Sequence, residues 1–370
     1  MLVPDVEKIA IVRANALGDY LFSLPALDAL RAAYPSAELV LLGAPWHARV
    51  LEGRPGPVDR VLTVPPLPGL RDPEPGEAAD VDGFFAAARR ERFDLALQLH
   101  GGGRHTNPFV RELGARLTAG LRTEDAPALD RWVRYVYYQP EVFRYLEVVG
   151  LVGATPVTLV PRFVVTTRDL TEAALVAGQP GGPDRPRVAL HPGVTDARRR
   201  WPAERFAEVG DALAAAGCEV VLTGAAAERD LVARVRSAMR APAADLSGRL
   251  SLGGLAGLYA GCALVVANDT GPLHLAAAVG TPTVGLFWIG NLINGAPVDR
   301  ARHRPLPSWT IHCPRCGLDC TRDLYPTRIG GPVCTHQDSF VADISVAEVV
   351  QEALDLLSVN ATEGSATSAR

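Results

Sequence analysis

Asp269, Thr270, Gly271 and His274 fall within one short run, VVANDTGPLHLAAAVGTP at 265–282. An apolar stretch ends at Asn268, the chain turns through Thr270, Gly271 and Pro272, and a small-residue stretch follows. This pattern predicts a strand leading into a helix, with Thr270 as N-cap and Pro272 in the first turn. A helix start offers amide hydrogens and the positive end of a dipole, which together suit a phosphate. Gly271 allows a ligand close to the backbone, and His274 adds a donor one turn in. An ordinary capped helix with a partly buried histidine is the plainer alternative. Asp-Thr-Gly also occurs in aspartic proteases, but those need a β-rich setting and a second copy, and this chain has neither.

Two further groups suggest chemistry. HPGVTDARRRWP (191–202) places Arg198, Arg199 and Arg200 after another apolar run, so that cations stand where a pyrophosphate would need them. Three consecutive arginines are otherwise an ordinary solvated patch. RANALGDYLFSLPAL (13–27) puts Gly18 in a turn and Asp19 at a helix start. Asp19 is either an N-cap or a general base; at a reference pKa of ~3.9 it is a weak base, effective when proton transfer comes late.

LHGGGRHTNPF (99–109) is a glycine-rich loop in which Arg104, Asn107 and His100 offer hydrogen bonds to a sugar, as does Arg13 nearby; a merely flexible loop is the alternative. The late cysteines Cys313, Cys316, Cys320 and Cys334 follow C-x2-C-x3-C-x13-C, with His336 just beyond. That spacing is compatible with a tetrahedral zinc site or an iron–sulfur cluster, the plainer alternative being free thiols packing an irregular loop. Cys218 and Cys262 lie in apolar segments and read as inert core thiols.

These residues must be positioned by α/β elements. Short apolar runs at 8–14, 38–44, 60–64 and 94–101 read as parallel strands, and the scheme recurs at 187–193, 218–224, 263–269 and 281–287. Helices are expected near 203–216, 228–240, 252–260 and 271–279. Leu21, Leu24, Leu27, Leu30 and Tyr34 mark an earlier one, which Pro25 should kink or restart. The 370 residues suit two doubly wound parallel-sheet domains facing a cleft. The expected division is an acceptor domain at 1–165, a linker at 166–186 and a nucleotide-sugar domain at 187–342 with a Cys-rich segment at 313–336. A C-terminal helix at 343–357 and a disordered tail at 358–370 would follow.

The net charge of −4 gives no reason to expect nucleic-acid binding, and Lys8 is the sole lysine, so a cation holding an anion must be Arg or His. No stretch approaches the ~18 apolar residues of a membrane span, and Asp5 and Glu7 stand where a signal peptide needs positive charge. The expectation is a cytoplasmic protein, with peripheral contact at the inner membrane face at most.

RANALGDYLFSLPALDALRAAYP, HPGVTDARRRWPAERF, LTGAAAERD and DLSGRLSLGGLAGLYAGCALVVANDTGPLHLAAAVGTPTVGLF, taken in order, resemble glycosyltransferase family 9, the ADP-heptose:lipopolysaccharide heptosyltransferases and their relatives. The resemblance runs over most of residues 8–357 and implies the GT-B architecture of two Rossmann-like domains. It also implies inversion at the anomeric carbon with no catalytic cofactor or metal, a nucleotide-sugar donor (ADP-heptose) and a glycan or glycolipid acceptor such as lipopolysaccharide core. Carried across, Asp19 matches the base, and Arg199 stands where the family usually has a lysine, with Arg200 beside it. Thr270, Gly271 and His274 match the phosphate cradle with Asp269 at its edge, Glu228 the ribose contact and Leu250 the base contact. The alternatives are a GT-B nucleotide-sugar epimerase or hydrolase, a two-domain binding protein without chemistry, and a metal-stabilised module docking a partner through 313–336.

Overall fold

The computed structural model describes residues 1–74, 76–180, 185–321 and 334–368, with side chains to 359. Parts of three expected segments therefore lie outside the described residues: 181–184 of the linker, 322–333 of the Cys-rich segment and 369–370 of the tail. The chain divides into two compact units, Met1–Val164 and Val165–Arg370.

The first unit holds strands β1 (Lys8–Val12), β2 (Glu38–Gly43), β3 (Arg60–Thr63), β4 (Leu95–Gln98), β5 (Leu117–Arg122) and β6 (Arg131–Arg134). Its helices are α1 (Leu17–Ala33), α2 (Pro45–Leu51), α3 (Val81–Arg90), α4 (Thr106–Glu112) and α5 (Glu141–Gly150). All strand pairings are parallel, in the order β3-β2-β1-β4-β5-β6. That order reverses direction between β1 and β4, the switch point at which open α/β sheets bind ligands. β1, β2 and β4 are buried almost throughout, so they read as unbroken apolar runs.

The second unit repeats the plan. It contains α6 (Thr167–Ala177), β7 (Arg187–His191), α7 (Ala203–Ala215), β8 (Glu219–Leu222), α8 (Arg229–Ala238) and β9 (Ala244–Asp245). It continues with α9 (Leu252–Ala260), β10 (Leu264–Asn268), α10 (Gly271–Ala278), β11 (Thr283–Trp288), α11 (Ile289–Gly295), β12 (His303–Ser308) and α12 (Val346–Ser368). Its parallel order, β12-β11-β10-β7-β8-β9, is the first sheet's order over again, with the switch point between β7 and β10.

Four strands escape the hydropathy pattern for physical reasons. β5 is interrupted by Gly120, needed because a Cβ there would meet the Gln98 Cβ at 2.6 Å. β6 has arginine at both ends, β9 has two residues, and β12 carries Pro305 and Pro307, tolerated because it lies at the sheet edge. α1 runs without a break through Pro25 rather than restarting there: Leu24, Pro25, Ala26 and Leu27 are all buried, and packing outweighs the lost backbone bond.

The expected linker contains a helix. Thr166 and Asp169 cap α6 reciprocally, and α6 lies flush on α9 because Gly257 has no Cβ; one would meet the Asp169 carbonyl oxygen at 2.3 Å. α12 extends to Ser368, beyond the helix end expected at 357 and through the segment expected to be disordered. Alanine, serine and threonine do not by themselves stop a helix.

Trp201 ties the second unit together. It is fully buried, stacks edge-on against Phe206 and donates its indole N–H to the Ile344 carbonyl at 3.0 Å. Its backbone N–H goes to the Asn268 side chain, whose amide reaches back to the Pro192 carbonyl. Trp201→Ala should therefore destabilise the protein by about 3–5 kcal/mol in equilibrium urea unfolding, whereas a loss under about 1 kcal/mol would mean that the site can collapse.

Candidate active site

In the second unit, the turns after β7, β8, β9, β10 and β11 all leave the carboxyl edge of the sheet, and the candidate residues stand on them or at the starts of the helices that follow. Asp269 is buried, 4% exposed. Its carboxylate accepts from His274 Nε2 at 3.0 Å, Asn291 Nδ2 at 2.7 Å and Arg199 Nη1 at 3.2 Å. Burial pushes its pKa up, but the His274, Arg199 and Asn291 contacts outweigh this and hold it below the ordinary aspartate value. Asp269 is thus the anchor under the corner rather than part of its rim. Asn291, on α11, has no counterpart in the sequence reading because nothing in WIGNLING sets it apart as polar machinery.

Thr270 occupies the N-cap position of α10 with extended backbone, but its hydroxyl makes no capping bond, contrary to the sequence expectation. Thr270 instead lines a cavity. That cavity is about 280 Å3 and is lined by Thr270, Pro272, His191, Thr223, Glu228 and Leu250 among others. Its floor is a neutral polar chain. His191 is buried, which lowers its pKa to about 4, and it shares hydrogen bonds with Thr223 and Tyr259. Glu228 is fixed by the Ala225 N–H at 2.7 Å and lies against Gly193, where a Cβ would come within 2.3 Å of its carboxylate. A side chain at 193 would therefore displace the Glu228 carboxylate. Thr270, Glu228 and Leu250, separated by up to 42 positions, share one cavity wall.

The arginine triplet splits three ways. Arg198 pairs with Asp196 within the short turn Ala197–Arg199. Arg199 reaches Asp269 across 70 positions of sequence. Arg200 donates to the Val194 carbonyl and lines a separate cavity of about 250 Å3 with Trp201 and Arg234. Arg199 therefore joins the Asp269 corner, and Arg200 faces elsewhere because the backbone is extended after the turn.

In the first unit, Asp19 sits in the first turn of α1, two positions after Leu17. The N-cap is Ala16, so the capping role does not apply. Its carboxylate is 36% exposed and pairs with Arg13 at 3.0 Å. Arg13 does not face a ligand. It is 1% exposed, and its donors go to the Asp19 carbonyl and carboxylate and to the Leu99 carbonyl. Asn107 is likewise buried and spends its amide on the Leu121 and Pro127 carbonyls, pinning the loop. His100 accepts the Ala14 N–H, and burial followed by the Arg13 charge lowers its pKa to about 3, so it stays neutral. Of the four acceptor candidates only Arg104 is exposed, in a loose 3.6 Å pair with Asp125.

The late cysteines assemble with one substitution. Ligand atoms of Cys313, Cys316, Cys334 and His336 all lie within 4.8 Å of one another. Cys320 is not one of these four: it is buried after the hairpin that bridges His312 to Asp319, its Sγ donating toward the Leu318 carbonyl and lying against the Cys334 side chain. His336 takes the fourth place. Gly317 makes the knuckle between Cys313 and Cys320 at a φ of 71°, donating its N–H to the Cys313 carbonyl.

The description of glycosyltransferase family 9 (heptosyltransferase) matches residues 83–300, more than half of the chain. Lipopolysaccharide heptosyltransferase 2 of Salmonella typhimurium is 27% identical over 296 residues, spanning 76% of this chain and 82% of that one. Among solved structures, the family 9 glycosyl transferase of Veillonella parvula superposes with a TM-score of 0.79 at 22% identity, covering 96% of this chain and 98% of that one. The Escherichia coli ADP-heptose lps heptosyltransferase II gives a TM-score of 0.72 at 21% identity, covering 96% and 99%. The two doubly wound units are those of the GT-B fold, and the chain belongs to glycosyltransferase family 9 and is a GT-B glycosyltransferase.

Proposed function

We propose that the protein transfers heptose from ADP-heptose to a lipopolysaccharide-core or related envelope glycan, with inversion and without a catalytic metal. The observation that carries this reading is the single cavity where Thr270, Glu228 and Leu250 meet beside the Asp269–Arg199–His274 cluster. In it the adenine packs on Leu250, the ribose hydroxyls meet Glu228 and the diphosphate docks at the start of α10 with Thr270 and Gly271. Arg199 and His274, both aligned by Asp269, supply donors to the departing diphosphate. Arg200 shapes the loop that carries Arg199. Asp19 takes the acceptor hydroxyl proton as the bond to the anomeric carbon forms. Among the described residues no helix is long and apolar enough to cross a membrane; the acceptor lipid is met by peripheral contact at the cytoplasmic face.

Incubation of the protein with ADP-heptose separates the alternatives, because a transferase consumes donor only when acceptor is added, an epimerase or hydrolase consumes it alone, and a binding protein not at all. Asp19→Ala should lower transfer by about 10²–10⁴-fold while ADP affinity is retained; near wild-type turnover would remove Asp19 as the base. Arg199→Ala and His274→Ala should each weaken ADP binding by about tenfold or more, the worth of a charge-assisted hydrogen bond. Unchanged calorimetric affinity in both would move the diphosphate elsewhere.

The Cys313–Cys316–Cys334–His336 group is suited to one structural zinc. A tetrahedral zinc with sulfur at ~2.3 Å and nitrogen at ~2.0–2.1 Å has edges of about 3.8 Å (S–S) and about 3.6 Å (S–N). Cys316 Sγ lies 3.8 Å from Cys334 Sγ, and His336 Nδ1 lies 3.6 Å from both Cys313 and Cys334 Sγ. The chain leaving this group donates the Phe340 N–H to the Arg198 carbonyl at 2.7 Å, so the metal would brace the arginine turn. Protein purified without chelator should carry about one zinc per chain by elemental analysis, and His336→Ala should lose it; absence of both zinc and iron would remove the metal.

A further inference from the structure

Two guanidinium groups are buried side by side in the first unit: Arg13 is 1% exposed and Arg144 2%. A buried cation is tolerated only with a counter-ion and satisfied donors. Arg144 donates to the Val136, Tyr137 and Gln139 carbonyls, lies over the Tyr135 ring and pairs with Glu141. Arg13 lies over the Tyr145 ring, pairs with Asp19 at 3.0 Å and has Glu141 Oε2 at 3.9 Å. Glu141 also accepts the Tyr145 hydroxyl. The packing of α1 against α5 brings these groups together. Two cations are thus matched by two carboxylates, Asp19 with 36% of its side chain exposed and Glu141 with 16%.

We propose that Glu141, which no motif singles out, is a positioning residue for Asp19: it pairs with Arg144 and shares Arg13, so that Asp19 is not the only anion facing the Arg13 guanidinium. The inference rests on the reading of Asp19 as the base. An opposite charge within ~4–6 Å depresses a carboxylate by about 1–3 pKa units, and a more acidic Asp19 would be a poorer base. Burial pushes Glu141 itself upward, against the pull of Arg144 and Arg13, and the Asp19 charge adds to that rise. The other groups around the cluster are neutral: His100 and His47 are lowered to about 3, chiefly by burial, and the Tyr135 hydroxyl is raised by burial, then by Glu141 and Asp19, against the pull of Arg144 and Arg13.

The test is a direct titration of Asp19 in the full chain. Aspartate is labelled with 13C at its carboxyl carbon, and the Asp19 resonance is assigned by its loss in Asp19→Asn. Glu141→Gln keeps shape and removes charge; it should lower the Asp19 midpoint by about one unit and reduce turnover, with ADP affinity unchanged. Tyr145→Phe removes a Glu141 hydrogen bond but no charge, and should leave the midpoint in place, whereas a purely structural role would move it in both variants. Glu141→Asp should restore most of the wild-type midpoint. An Asp19 midpoint unmoved or raised by Glu141→Gln overturns the proposal. A lowered midpoint with wild-type turnover in Asp19→Asn overturns the base reading instead, leaving the electrostatic link between Glu141 and Asp19 standing.

Discussion

The second unit depends on the burial of one carboxylate. Asp269 has three donors from three separate segments: Arg199 from the turn after β7, His274 from α10 and Asn291 from α11. A charge removed from water is tenable only when its lone pairs are occupied, so the Asp269 geometry constrains where each donor can be. Arg199 and His274 are thereby aligned before any ligand arrives. Preorganised donors of this kind stabilise developing charge without reorganising during the reaction. The cost is that part of the Arg199 charge is already offset, which leaves the amide hydrogens at the start of α10 a larger share in any anion contact.

The first unit solves a related problem differently. Arg13 reads in the sequence as a contact to an acceptor sugar, yet it lies inside the unit and holds both the carbonyl and carboxylate of Asp19. One guanidinium thus fixes the start of α1 and the orientation of the Asp19 side chain together. Its planar fork of donors makes this possible, whereas lysine would supply a point charge without the geometry. The loop at 101–105 is similarly drawn inward: Gly103 adopts a φ of 93° over Asn107, whose amide ties two distant carbonyls. Asn107, a candidate ligand contact because it is polar and near glycines, instead helps give that loop its shape.

The two sheets share one strand order, and in both the candidate residues cluster where that order reverses. The scheme was legible because β1, β2, β7 and β10 are buried on both faces and so appear as continuous apolar runs. Three of the four edge strands, β6, β9 and β12, carry no such mark. β6 and β12 were missed because a half-solvated edge accepts arginine or proline, and β9 because two residues hold no period.

Sequence alone determined the fold class, the strand-to-helix corner at 268–274, the placement of Asp19 in the first turn of α1 and the presence of a thiol cluster. Each of these rests on local spacing, which turn chemistry and periodicity encode directly. Tertiary structure decided which of three adjacent arginines meets Asp269, that His336 replaces Cys320, and that Arg13 and Asn107 point inward. It also supplied Asn291 and Glu141. Those outcomes depend on which buried charge or thiol lies opposite each side chain, a relation between segments far apart in the chain, and no local pattern of residues carries that information.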